Sequence, residues 1–317
     1  MEDLQRAESR LDNIRTVEPI LSALCTISLG SWQAALRRKN GVRRYEERLA
    51  AMLPPLLPHV RPRSPSGAFR RLQALVSRAG DKFSPVFLSP GEAREGPPTQ
   101  VAALVIGNER GLCGGFSEAI VERAERHLAG PEFVGVQVEL MALGSRVHRT
   151  LRRRQRPLVW SGTLPVTALP PYHLAFDLAC RWLMRYEEHE LDAVDVIYNA
   201  YQGAGQYEPT VVRLIPPQHP REEGVPSAEP RPLPIIETDP LSLYARIVEQ
   251  WTAVSLYGLF LDSAAAEHST RYQLMETASQ NADRLIDELT LAIQTARQRE
   301  ITQEMQELAV GAGLLGG

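Results

Sequence analysis

The stretch that decides the fold is Met275-Glu-Thr-Ala-Ser-Gln-Asn-Ala-Asp-Arg-Leu-Ile-Asp-Glu-Leu-Thr-Leu-Ala-Ile-Gln-Thr-Ala296. Within it Met275, Ala278, Ala282, Leu285, Leu289, Ala292 and Ala296 alternate steps of three and four residues. That spacing is the a/d seam of a left-handed coiled coil. Upstream, Leu241, Tyr244, Ile247, Val248, Trp251 and Val254 continue a helical stripe. No proline follows Pro240, and Gly258 is the only glycine between there and Gly311. About 70 helical residues at ~1.5 Å each make a rod of roughly 105 Å, several times the width of a compact domain. A helix of that length needs a partner outside its own globule.

A partner is present at the other end of the chain. Leu11, Ile14, Val17, Leu21 and Leu24 form an apolar helical stripe, interrupted by Pro19, which is expected to kink it. Residues 1–53 carry a net positive charge and residues 241–317 a net negative one. The two terminal helices are therefore expected to pair antiparallel, with charge adding only weak support. Proline marks the limits of the rod. Residues 54–98 hold Pro54, Pro55, Pro58, Pro62, Pro65, Pro85, Pro90, Pro97 and Pro98, and residues 216–240 are similarly rich. A proline costs ~3 kcal/mol inside a helix, so these stretches are expected not to be long helices.

The middle of the chain alternates strand and helix patterns. Val101-Ala-Ala-Leu-Val-Ile106 is a buried-strand run, followed by a glycine-rich turn and a helix over 116–129. Strands are expected at 136–143, 158–160, 193–198 and 210–215, with helices from 145 to about 154 and over 173–188. Such alternation points to a mostly parallel, Rossmann-like sheet covered on both faces. The expected organisation is a coiled-coil helix at 1–60, a proline-rich connector at 61–98, an α/β domain at 99–215, a second proline-rich linker at 216–240 and a coiled-coil helix at 241–317.

Composition excludes several classes. Of 317 residues, 44% are hydrophobic and 23% charged, ordinary for a chain with a buried core. The net charge of −3 offers no basic field for nucleic acid. Cys25, Cys113 and Cys180 are far apart, with no CxxC pair, which argues against a disulfide framework or a metal site. The polar N-terminus is not a signal peptide, and no run approaches ~18 consecutive apolar residues.

The segment Gly107-Asn-Glu-Arg-Gly-Leu-Cys-Gly-Gly115 sits where α/β folds bind phosphate. It matches neither GxxxxGK[ST] nor GxGxxG. The favoured reading is a tight turn whose glycines permit positive φ and close packing. Cys113 could be a low-pKa thiolate at a helix N-terminus, but no base accompanies it, and a packing role is preferred. The arginines Arg149, Arg152, Arg153, Arg154 and Arg156 read as a solvated helix end. No catalytic residue, metal ligand or cofactor site is expected.

Three further segments carry a family resemblance. The tail Ile301-Thr302-x-Glu304-x-x-Glu307-x-x-x-Gly311-Ala312 resembles the C-terminal signature of the gamma subunit of F-type ATP synthases. Asn281 to Ala292, followed by Ala296-Arg297-Gln298, is similar to the same family's rotor helix. Arg110-Gly-Leu-Cys-Gly-Gly-Phe116 is similar to its hallmark loop.

The resemblance implies a central stalk peripheral to the cytoplasmic face of the cell inner membrane. Its two terminal helices turn inside a hexamer of alpha and beta subunits. Its α/β body meets the epsilon subunit and the c-ring. It implies coupling of ion flow to ATP synthesis or hydrolysis, with no catalysis by gamma itself, no nucleic acid and no self-oligomer. It places Arg297, Gln298, Thr302 and Glu304 at rotor–stator contacts and makes Gly111, Leu112, Cys113, Gly114 and Gly115 a structural loop. Val310 to Leu315 would sit in the bearing, and Arg297 and Gln298 would lack partners in the isolated chain. Leu24 and Glu276 stand where the family usually has a methionine and a lysine. These departures support an alternative, a gamma-like adaptor of another assembly.

Overall fold

The structure, a computed structural model, describes residues 2–60, 98–166, 168–216 and 235–311. Most of the two proline-rich stretches, 61–97 and 217–234, and the last six residues lie outside the described residues. The chain runs α1 (Glu2–Val60), β1 (Gln100–Ile106), α2 (Phe116–Leu128), β2 (Gln137–Leu143), α3 (Ser145–Arg153), β3 (Trp160–Gly162), α4 (Tyr172–Glu187), β4 (Ala193–Gly203), β5 (Gln206–Ile215) and α5 (Pro240–Gly311).

The sheet order is β3-β2-β1-β4-β5. β1 pairs parallel with β2 and β4, and β3 pairs parallel with β2. Only β5 runs antiparallel, as the edge partner of β4. A sheet of this kind is stable only with both faces covered. On one face Ala103, Val105, Leu140, Ala142 and Ile197 meet Ile120, Val121 and Ala124 of α2 and Val147 and Leu151 of α3. On the other, Leu104, Ile106, Val194 and Val196 meet Leu178, Trp182 and Leu183 of α4 and Leu256, Tyr257, Phe260 and Leu261 of α5. The C-terminal helix thus serves as one of the two helices that close the sheet. This explains why residues 251–271 are buried around most of their circumference rather than along a stripe.

At 72 and 59 residues, α5 and α1 measure about 108 and 88 Å. They lie antiparallel, as cross-contacts show: Arg297 to Glu8, Trp32 to Tyr272 and Lys39 to Asp262. α5 starts on a built cap: the Asp239 carboxylate accepts from the Ser242 amide at 2.9 Å and its hydroxyl at 2.8 Å, with Pro240 at the first helical position.

Three sequence expectations are corrected here. The seam of α5 keeps Met275 and Ala282 buried and Ala278, Leu285, Leu289 and Ala296 half-buried, but Ala292 is exposed and Ile293 takes its place. The step from Leu289 to Ile293 is four, following the four from Leu285 to Leu289. A straight helix drifts against a strict seven-residue repeat, and here the order of the two steps between Leu289 and Ala296 is reversed within an unchanged seven residues. On α1, Val17 is exposed and Glu18 lies nearer the partner. Leu24 of the expected stripe is half-buried. Among the other buried or half-buried positions are Leu11, Ile14, Glu18, Leu21, Cys25, Ser28, Trp32, Ala35, Lys39, Val42, Glu46, Leu49, Leu53 and Leu56. They form an unbroken heptad run, and Pro19 does not interrupt the helix. Finally, α1 ends at Val60, the bound expected for the first helix, but it runs through Pro54 and Pro55 against the expectation that proline bars a helix there. There Leu53 and Leu56 pack against Tyr244, Ile247, Val248 and Trp251, and that burial outweighs the proline cost.

A window within Leu4–Leu56 is apolar enough, with mean hydropathy 1.3, to cross a membrane by length and composition, and only 11% of it is buried in the chain. The exposed large apolar residues of Leu4–Leu56 are Val17, Ile20, Ile27, Tyr45 and Met52. The same helix carries Lys39, which pairs with Asp262 of α5. The segment is therefore one strand of a helical pair that leaves an apolar outer face free.

Candidate functional site

Two regions concern function: the free end of the helical pair, and the glycine loop at the top of the sheet. The free end is built from α5 beyond Met275 against α1 before Ser28. Arg297 donates to the Glu8 carboxylate at 2.5 Å, so it has a partner within the chain. This corrects the expectation that it has none. The pair is exposed on both sides and contributes at most ~1 kcal/mol. Gln298, Thr302 and Glu304 point to solvent, and the Thr302 hydroxyl is tied back to the Gln298 carbonyl. Leu291, Ile301, Met305 and Leu308 are exposed apolar side chains on the same end. A helical end that displays both polar hooks and apolar residues has the chemistry of a surface made to be covered. Ala312 to Leu315, expected in the bearing, lie outside the described residues.

The loop between β1 and α2 is closed around itself. The Gly107 amide donates to Leu143 at 2.9 Å, tying the loop to the end of β2. A Cβ at Gly107 would sit 1.9 Å from Val147 Cγ2, so only glycine fits. Gly114 has φ +55, and Leu112, without a glycine's freedom, has φ 66. The Glu109 carboxylate accepts from the Ser145 amide and the Leu164 amide, both at 3.0 Å, and from the Ser145 hydroxyl. Burial would raise its pKa, but these hydrogen bonds outweigh burial and hold it below the usual carboxylate range. A fixed negative charge in the loop repels phosphate. The cavity beside it, lined by Glu109, Arg110, Phe260, Glu267 and His268 among others, offers about 20 Å³, no more than a water's room.

Cys113 is buried, and burial pushes its thiol up to about 12. A thiol so placed is a packing residue: with Phe116 and Ala266 it forms a small cluster under Tyr201 and Tyr207. Arg153, Arg154 and Arg156 pair with Glu118 and Glu125 of α2, which stitches α3 to α2 instead of exposing a basic patch.

One connection was not visible from sequence. Arg271 on α5 is buried and donates to Glu267 at 2.5 Å, to the Gly111 carbonyl at 3.4 Å and to the Arg110 carbonyl at 3.5 Å. Its Nη1 lies 3.1 Å from His268 Nδ1. Burial lowers the pKa of His268 to about 4, aided by the Arg271 charge, so the ring is neutral and can accept that hydrogen bond. Nothing local announces that a helix residue grips a loop 160 positions earlier.

Comparison with known proteins agrees with this architecture. A family model described as ATP synthase matches residues 3–315. The ATP synthase gamma chain of Pelotomaculum thermopropionicum is 27% identical over 316 residues, covering 99% of this chain and all of the relative. That of Geotalea daltonii is 32% identical over 219 residues, covering 68% of this chain and 73% of the relative. A chain in the structure of Euglena gracilis mitochondrial ATP synthase, OSCP/F1/c-ring, superposes with a TM-score of 0.58 at 13% identity, covering all of this chain and 97% of its own length. A chain of the rotor of the same enzyme gives 0.55 at 11% identity, covering 95% and 99%. With the paired helices, the five-stranded sheet and the closed loop, these matches show that the chain belongs to the ATP synthase gamma-chain family.

Proposed function

We propose that this chain is the central shaft of an F-type ATP synthase. The free end of its helical pair turns inside the alpha/beta hexamer, and its α/β body stands toward the epsilon subunit and the c-ring. The observation that carries the proposal is the α1–α5 pair itself. Among the described residues, hydrogen bonds from the α/β body reach α5 as far as Gln273, and beyond it the two helices pair with each other, with apolar residues of both left exposed. Such a surface in water calls for a sleeve. A hexamer supplies one, and membership of the family supports that identity.

In this role the chain transmits force and performs no bond chemistry. The glycine loop has neither room nor charge for a nucleotide. Arg297, Gln298, Thr302 and Glu304 are the polar hooks that meet the beta subunits. One asymmetric shaft in a three-fold ring cannot satisfy every loop at once, so such contacts are few and exchangeable. As a subunit of such a complex the chain is peripheral to a membrane, and in this reading it stands at the cytoplasmic face of the cell inner membrane.

The test is coexpression with the alpha and beta subunits. Copurification of the chain with the hexamer supports the shaft, and its failure to associate defeats it. Within the complex, the double change Arg297→Ala, Gln298→Ala is expected to lower ATPase activity several-fold while assembly persists. Full activity would remove these two residues from the contact.

A further inference from the structure

A shaft that turns must hand its torque to the body, and the structure shows where the two meet last. Three contacts lie at that level of α5. Arg271, with Glu267 behind it, holds the carbonyls of Arg110 and Gly111 in the loop after β1. Gln273 donates to the Ala204 carbonyl in the β4–β5 turn at 2.9 Å. Leu274 lies near Gly114, where an added Cβ would come 3.6 Å from its side chain. Below them α5 is glued to the sheet by apolar burial through Leu256, Tyr257, Phe260 and Leu261.

These two kinds of attachment resist different motions. Apolar contact is non-directional, so its strength depends little on the exact angle between the packed groups. Hydrogen bonds to a charged group weaken steeply when distance and angle change. In a lapped joint under twist, shear also concentrates at the end where the load enters. The load enters α5 from the free end, so the first attachments it meets are those at residues 267–274.

The loop itself is braced for this. Glu109 ties it to the start of α3 and to Leu164, Gly107 ties it to β2, and Asn199 of β4 donates to the Phe116 carbonyl at 2.9 Å. A force on Arg110 and Gly111 therefore spreads into three strands and a helix.

Resting on the shaft reading, we propose that Arg271, positioned by Glu267, and the Arg110–Gly115 loop form the torsional joint that passes torque from the helical pair to the α/β body. Glycines in this loop then serve rigidity and close approach, which accounts for a glycine-rich loop after β1 that matches no phosphate-binding motif.

The experiment uses the chain assembled with alpha and beta subunits. A light-scattering probe is attached to the body through Val134→Cys, an exposed turn position. With the hexamer stalled between ATP bindings, the angular variance of the probe reports torsional stiffness. Arg271→Ala is expected to raise that variance at least two-fold, while ATPase activity stays within two-fold of the parent. A general loss of structure would lower activity and assembly together instead. If Arg271→Ala does not assemble, Arg271→Lys and Glu267→Gln are measured in its place. Each removes part of the joint and is expected to raise the variance by a smaller factor. Unchanged variance in the assembled variants, with a parent that rotates, overturns the joint alone. A parent that binds no hexamer overturns the shaft reading and the joint with it.

Discussion

Ile293 and Ala292 are neighbours, yet the structure assigns them opposite roles, and a pair of substitutions separates them. Ile293 is 6% exposed, facing α1 near Leu11, whereas Ala292 faces solvent. Ile293→Ala removes three carbons from the seam. At ~0.8 kcal/mol per buried carbon the transfer loss alone is about 2.5 kcal/mol, with a further cavity contribution if α1 does not collapse onto the gap. The free end of the pair opens locally rather than with the whole molecule, so the loss falls on that local equilibrium. A change of about 2.5 kcal/mol corresponds to a roughly 60-fold rise in the open population, at ~1.4 kcal/mol per factor of ten. Ala292→Asp, on the outer face, is expected to stay within about 0.5 kcal/mol. Hydrogen exchange of amides 285–300 in the isolated chain is the assay, with amides of β1 and β4 as internal reference. Ile293→Ala is expected to speed exchange at the free end about 60-fold without touching the sheet. Equal effects of the two substitutions, or a larger one for Ala292→Asp, would refute the phase of the seam and restore the strict heptad.

Other expectations follow from the same geometry. His268 has its pKa lowered to about 4, so the unfolded chain binds a proton that the folded chain refuses between pH ~6.5 and 4. Stability is then expected to fall across that window as pH drops, by up to about 3 kcal/mol, and His268→Gln should flatten the fall in a pH series of thermal melts. The charged group beside the ring is Arg271, and Glu109, Arg110 and Glu267 line the same small cavity as His268. Asp195 is buried, which would raise its pKa, but hydrogen bonds from His127 and Arg213 hold it below its ordinary value. Its stabilisation is present above pH ~4 and is lost as pH falls further, a loss Asp195→Asn removes from the melting curves. Gly107→Ala drives a methyl group into Val147 and is expected to cost ~1–3 kcal/mol in denaturant titration of the isolated chain.

The parts of the fold legible in the sequence are those whose signal is local. The run Val101–Ile106 is buried on both sides and reads as a central strand without help from its neighbours. The α5 seam is legible where small and large apolar residues alternate, from Met275 to Leu289, and fails at Ala292 because alanine is equally at home inside or out. The α1 seam is harder. Glu18, Ser28, Lys39 and Glu46 occupy its core positions, and two of them have partners on α5: Lys39 meets Asp262 at 2.6 Å and Glu46 meets the Ser255 hydroxyl. An apolar template rejects such residues, so the stripe shifts to Val17, which is exposed. The lower end of α1 breaks a proline rule for a tertiary reason, the burial of Leu53 and Leu56. The glycine loop was recognisable as a loop, but its attachment to Arg271 depends on the chain returning after the whole α/β body.

The central claim is that this chain turns within a hexamer. The direct measurement fixes the chain's own alpha and beta subunits to a surface and follows a probe on Val134→Cys while ATP is supplied. Unidirectional rotation that stops when ATP is withdrawn is the predicted result. A chain held firmly in the hexamer whose probe does not turn during ATP hydrolysis would contradict the account.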